Sequence, residues 1–123
     1  MPTIEIPPSQ WTSFLDDLSR THVDEPVSVD ILREDIGAQT EIHHLPLGGI
    51  GADLKGPSAS IAISAGPGPG ESISHVIADP TALRLLRADS GEDEVLEIEA
   101  ADRSRTLVYF EGGAWPTEPA RSA

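Results

Sequence analysis

Residues 8–31 read PSQWTSFLDDLSRTHVDEPVSVDI, and a change of period inside this stretch decides the fold. Trp11, Phe14, Leu15 and Leu18 recur at i, i+3, i+4 and i+7, which draws one apolar stripe along an α-helix. Pro7 and Pro8 suit only a helix's first turn and Ser9 is a capping residue type, so the spacing predicts a helix over 8–22. Asp16 and Asp17 fall on its outer side. Beyond Pro26 the pattern changes: Val27, Val29 and Ile31 alternate with Ser28 and Asp30, the signature of a half-buried strand.

Working outward, the alternation repeats to the end of the chain. Gly37 marks a turn, a second strand covers 39–45 until Pro46, and Ile50, Ala52 and Leu54 alternate in a third. Lys55-Gly56-Pro57 turns the chain into a fourth strand over 60–64, and Gly66-Pro67-Gly68-Pro69-Gly70 reads as a hairpin loop. Ile73, His75 and Ile77 share a face of the fifth strand, which stops at Pro80. Leu83 and Leu85 belong to a sixth, Asp89-Ser90-Gly91-Glu92 turns, and Leu96 and Ile98 point inward on a seventh while Glu97 and Glu99 point out. The eighth, over 106–110, is apolar on both faces and so reads as central. Connections this short forbid parallel crossovers. The expected fold is α+β but mainly β: one N-terminal amphipathic helix packed on a curled antiparallel meander of about eight strands, barrel-like or two-layer. It forms a single domain over 1–111, and 112–123 reads as a flexible C-terminal tail.

The composition narrows the function classes. There is no cysteine among the 123 residues, which removes disulfides, thiol nucleophiles and thiolate metal sites. Net charge is −13 at pH 7, so the surface repels nucleic-acid phosphates and anionic membranes, and neither is an expected partner. Lysine occurs once, at Lys55, and asparagine is absent, a bias that fits concentrated salt or a GC-rich genome. No run is long and apolar enough to span a membrane and no secretion signal is visible, so the expected compartment is the cytoplasm.

Several spaced motifs together resemble a known family. Trp11-x-x-Phe14-Leu15 is followed by Leu45-Pro46-Leu47-x-Gly49-Ile50-x-x-Asp53, then His75-x-Ile77-x-x-Pro80, Leu96-x-Ile98, Asp102 and Thr106-Leu107. In this order, over residues 4–111, they are similar to a family of small soluble bacterial proteins catalogued only as a domain of unknown function. The resemblance implies a shared fold and carries no activity with it. In that family the last hairpin often turns through Asp-Gly, whereas this chain has Asp102-Arg103.

Candidate chemistry centres on histidine. His43 and His44 are adjacent and should face opposite sides of a strand, whereas His44 and His75 would meet if their strands came together. With Asp53 or Asp79 they would compose a two-histidine, one-carboxylate set, but no close histidine pair has metal-ligand spacing, so neither metal nor cofactor is expected. Gly48-Gly49-Ile50-Gly51 reads first as a plain turn; its glycines also allow a bulge or close backbone approach, which with Pro46 and Asp53 would rim a pocket. The prolines at 67 and 69 rule out a phosphate-cradling loop, and no serine sits in a nucleophile elbow. The candidate ligand-binding residues are therefore His44, Gly49, Asp53 and His75, with no catalytic residue assigned.

Three functions compete. The preferred one is a non-catalytic binding module for a protein partner, with a basic or apolar surface or a second copy at an open sheet edge. The next binds a small apolar ligand beneath the helix, in a cavity lined by Ile42, Ile61, Ile73, His75 and Leu85. The last is an enzyme in which His75 works with Asp53 or Asp79 as general base and orienter.

Overall fold

A computed structural model describes residues 3–55, 58–67, 71–89 and 92–111. The tail read over 112–123, and the centres of the turns at 56–57, 68–70 and 90–91, lie outside the described residues. The predicted helix is present as a 3-10 turn, Pro8–Gln10, running into α1, Trp11–His22. Trp11, Leu15 and Leu18 are buried on its inner side, and Phe14 packs at the margin. The indole N–H of Trp11 donates to the Ile6 carbonyl at 2.9 Å, which satisfies the polar edge of an otherwise apolar ring.

The strands are β1 (Thr3–Glu5), β2 (Pro26–Arg33), β3 (Gly37–Asp53), β4 (Ser60–Ala65), β5 (Ile73–Ala78), β6 (Pro80–Arg87), β7 (Asp93–Ala100) and β8 (Arg105–Phe110). All pair antiparallel in the order β1-β6-β7-β8-β2-β3-β4-β5, so the sheet is not closed and β1 and β5 are its edges. Meander connectivity holds within β2–β5 and within β6–β8. Between them β8 returns to pair with β2, which makes it a central strand as its two apolar faces require.

Two expected strands, over 39–45 and from Ile50 to Leu54, are one. β3 is 17 residues long; its first part pairs with β2 as far as Pro46, and from Leu47 on it pairs with β4. Pro46 sits where the strand leaves its first partner, a position that needs no ladder donor. The glycines after it form a bulge against Ser64 rather than a turn. Leu54, expected to point inward, lies past the strand end and is exposed. Two further bulges fall where β2 meets β3 around Val29.

The shared strand folds the sheet into two layers with the core between them. Val27, Val29, Ile42, Leu83, Leu85, Leu96, Ile98 and Val108 meet Ile61, Ile63 and Leu47, and α1 covers β3 with Leu15. Each of these side chains is fully or almost fully excluded from solvent, so each contributes roughly 1.5–3 kcal/mol of apolar transfer free energy.

Candidate functional site

β3, β4 and β5 present an outer face made of cross-strand rows: Gly49–Ser64–Ser74, Gly51–Ala62–Val76 and Asp53–Ser60–Ala78. At its helix end lies a groove of about 630 Å³ bounded by Ser19, Asp24, Leu47 and Gly66, with Gly49, Gly51 and Ser64 in its lining. Ser19 fixes α1 to the strand edge: its hydroxyl accepts the Ile50 N–H and donates to the Ile50 carbonyl, each at 2.8 Å. The glycines here differ in what they do. A Cβ on Gly48 would press on the Ser64 carbonyl oxygen at 3.3 Å, whereas one on Gly51 would meet nothing within 4 Å. None of the three needs a left-handed backbone.

A second concavity runs beside β5. It measures about 200 Å³ and is lined by His75, Val76, Ile77 and Ala78 on one side and by Ile31, Arg33, Ala100, Asp102, Ser104 and Thr106 on the other. Successive strand residues point to opposite faces, so four consecutive ones lining a single cleft mean that it follows the strand's free edge. A basin of about 260 Å³ lined by Arg33, Glu34, Asp35, Asp102 and Ser104 adjoins it. Burial lowers the His75 pKa, with Glu41 pulling it up and Arg33 pushing it down, so the ring is neutral at pH 7. Neither His75 ring nitrogen has a hydrogen-bond partner among the described residues.

The four residues singled out from the sequence do not converge. Gly49 lines the groove and Asp53 lies on the same outer face, where its Oδ1 accepts the Lys55 N–H at 3.2 Å. His75 faces inward, opposite Ile63, so the sheet separates it from Asp53. His44 stands apart, in the half of β3 paired with β2. The bulge sets its φ to +52° and turns it off the face of Ile42: Ile42 is buried, but the His44 side chain is 57% exposed. Its Nδ1 lies 2.8 Å from Glu111 Oε1, and that oxygen also accepts from Ser28. His43 and His44, expected on opposite faces, are both exposed, with ring centroids 6.4 Å apart. Of the residues proposed to line an apolar cavity beneath the helix, Ile42, Ile61 and Leu85 are packed in the core and Ile73 is 45% exposed. Among the described residues, no three His, Asp or Glu side chains gather to hold a metal ion, and no helix is long and apolar enough to cross a membrane.

Sequence reasoning missed two features. Arg33, at the end of β2, carries no local signal that it faces β5. His22, read only as a helix end, is buried with both ring nitrogens on carboxylates: Nδ1 to Glu25 at 2.7 Å and Nε2 to Asp93 at 2.8 Å. The ring stacks on Phe110 at 4.3 Å. Burial lowers its pKa, but the bonds to Asp93 and Glu25 outweigh that and leave it raised. The spacing of His22 and Glu25 was a usable signal; nothing local announced Asp93.

A protein-family model described as "Family of unknown function (DUF5335)" matches residues 3–118. The chain is also similar to an "Uncharacterized protein" of Aquifex aeolicus (strain VF5), 27% identical over 106 residues, covering 86% of this chain and 87% of that protein. No solved structure matches the chain.

Proposed function

The chain belongs to the family of unknown function DUF5335, and from the geometry above we propose that it is a non-catalytic interaction module that takes up an extended segment of a basic partner protein along the free edge of β5. One observation carries this reading. β5 is an edge strand with the sequence ISHVIA, uncharged apart from a neutral histidine, and Val76 and Ile73 are 60% and 45% exposed on it. Edge strands that are meant to stay single are shortened, charged or broken by proline. The opposite edge, β1, is three residues long and ends in Glu5, as that rule requires. Among the described residues, β5 has none of these guards. In a chain of net charge −13 an unguarded edge favours a positively charged strand over a second copy of itself. Main-chain hydrogen bonds would supply affinity, and Val76 and His75 would read alternate side chains.

The test is a titration with the hexapeptide Lys-Val-Lys-Val-Lys-Val, followed by fluorescence polarisation. Val76→Lys guards the edge, and Val23→Lys, at an exposed apolar residue outside β5, makes the same change of charge. The reading expects saturable binding, weakened about tenfold or more by Val76→Lys and little by Val23→Lys. Equal loss in both variants, or no saturable binding to the wild type, overturns it.

A further inference from the structure

Resting on that reading of β5, we infer that the edge receives a chain terminus rather than a passing segment, and that the cleft beside it holds the terminal carboxylate at Arg33 and His75.

Two independent features lead there. The first is that the edge is a dead end. One residue, Asp79, separates β5 from β6, and its φ of +50° turns the chain sharply. The corner is pinned on both sides: the Asp79 N–H donates to the Ala59 carbonyl at 2.9 Å, and the Ala101 N–H donates to the Asp79 carbonyl at 3.0 Å. The β7–β8 turn, with Asp102 and Ser104, lines the same end of the cleft. A strand laid against β5 would enter past Ile73 and could not continue beyond Ala78. Running parallel to β5 toward that stop, its last residue would lie beside Ala78, in the cleft whose lining includes Arg33, His75, Ser104 and Thr106.

The second feature is the chemistry at the stop. Arg20, Arg84, Arg87, Arg103 and Arg105 each lie within ion-pair distance of a carboxylate. Arg33 is the described arginine with no carboxylate within ion-pair distance among the described residues; its charge acts at longer range on Asp102, whose carboxyl the hydrogen bonds from Ser104 and, after them, Arg33 hold below the usual range. Its guanidinium is a planar fork of donors suited to a carboxylate. Neutral His75 adds one ring N–H donor without adding charge. Nearby acids are partly engaged already: Asp102 Oδ1 accepts both the N–H and the hydroxyl of Ser104, at 2.9 and 2.6 Å, and Glu34 lies 3.9 Å from Arg103. A terminal ammonium would have Asp35, Glu34 and Asp102 to choose from in the adjoining basin, so it is the competing occupant.

Calorimetric titration separates them with three forms of the same Lys-Val hexapeptide: N-acetylated with a free carboxylate, N-acetylated and amidated, and free amine with an amidated end. The free carboxylate should bind about tenfold more tightly than the doubly blocked form. Arg33→Gln should erase that difference, while Arg103→Gln, an equal change of charge on a neighbouring exposed arginine, should leave it. Equal affinity of the carboxylate and doubly blocked forms, with Val76→Lys still weakening both, overturns the terminal carboxylate and leaves the strand reading standing. Tightest binding by the free amine overturns it in favour of an ammonium. Binding by none of the three removes both readings together.

Discussion

The Nε2 of His22 lies 2.8 Å from Asp93 Oδ2, joining the end of α1 to the start of β7 across 71 positions of sequence. Asp93 is held in turn by Arg87 Nε at 3.1 Å, and Glu25, at the entry to β2, takes the other ring nitrogen of His22. Helix, first long strand and the β6–β7 hairpin are thus tied at one buried ring.

A stability that depends on pH follows. The folded-state pKa of His22 is raised above 6.5, so its contribution is complete below that value and is lost as pH rises through the raised one. His22→Leu should cost about 2–4 kcal/mol near pH 6, because it leaves two carboxylates without their shared cation. The difference between wild type and variant, followed by urea unfolding from about pH 5.5 to 9, should shrink steadily. A constant difference would show that the ring acts through packing on Phe110 alone.

The β7–β8 hairpin holds a non-glycine residue where glycine belongs. Arg103 has φ +73° and donates its N–H to the Ala100 carbonyl at 2.9 Å, while the Ala100 N–H reaches the Ser104 carbonyl at 3.0 Å. This is a three-residue loop closing on a left-handed position. Arg103→Gly should therefore raise stability by about 1 kcal/mol, since the exposed contact it removes, to Glu34 at 3.9 Å, is weak. A lower midpoint in urea would contradict this.

Glycine substitutions around the groove should sort by space. Gly66→Ala would bring a Cβ to 2.5 Å from the Ser72 Cα and 2.6 Å from the Glu71 carbonyl oxygen, both backbone atoms. It should cost about 2–3 kcal/mol or more through forced backbone movement. Gly51→Ala meets nothing within 4 Å and should be neutral or gain up to about 1 kcal/mol by restricting the unfolded chain. Thermal melts of the two variants check the order.

Salt should stabilise the protein. Like charges dominate at −13, and raising NaCl toward 1 M shortens the screening length to about 3 Å, so Tm should climb. One local term runs the other way: Arg84 bridges Glu5, Glu97 and Glu99 across β1, β6 and β7. Arg84→Ala should accordingly lower Tm more at low salt than at high salt.

How far the sequence reached depended on the range of each signal. The helix stripe and the alternation of β2 and β7 are local, so they gave the right elements and inward faces. About eight strands were expected and eight are present among the described residues, but by compensation: Thr3–Glu5 is too short to alternate visibly, and β3 was cut in two at Pro46 and Gly48. A proline and a glycine pair signal a break in regular structure without saying whether the chain turns or only bulges. The bulges also explain His44, since an inserted residue reverses the face that strict alternation assigns to it. The glycine run 48–51, read first as a plain turn, lies in a strand bulge beside the groove, because glycine permits either outcome and the partner strand decides between them. Arg33 and the Asp93 side of the His22 clasp were illegible, because their meaning comes from strands that meet only once the sheet has curled.

The most direct test of the account is an isotope-filtered nuclear Overhauser experiment on the labelled protein saturated with the unlabelled Lys-Val hexapeptide. Backbone contacts from the peptide to the amides of residues 74–78, with none at Gly49 or Gly51, are the predicted result. Contacts confined to the glycine groove, with the β5 amides unchanged, would contradict it.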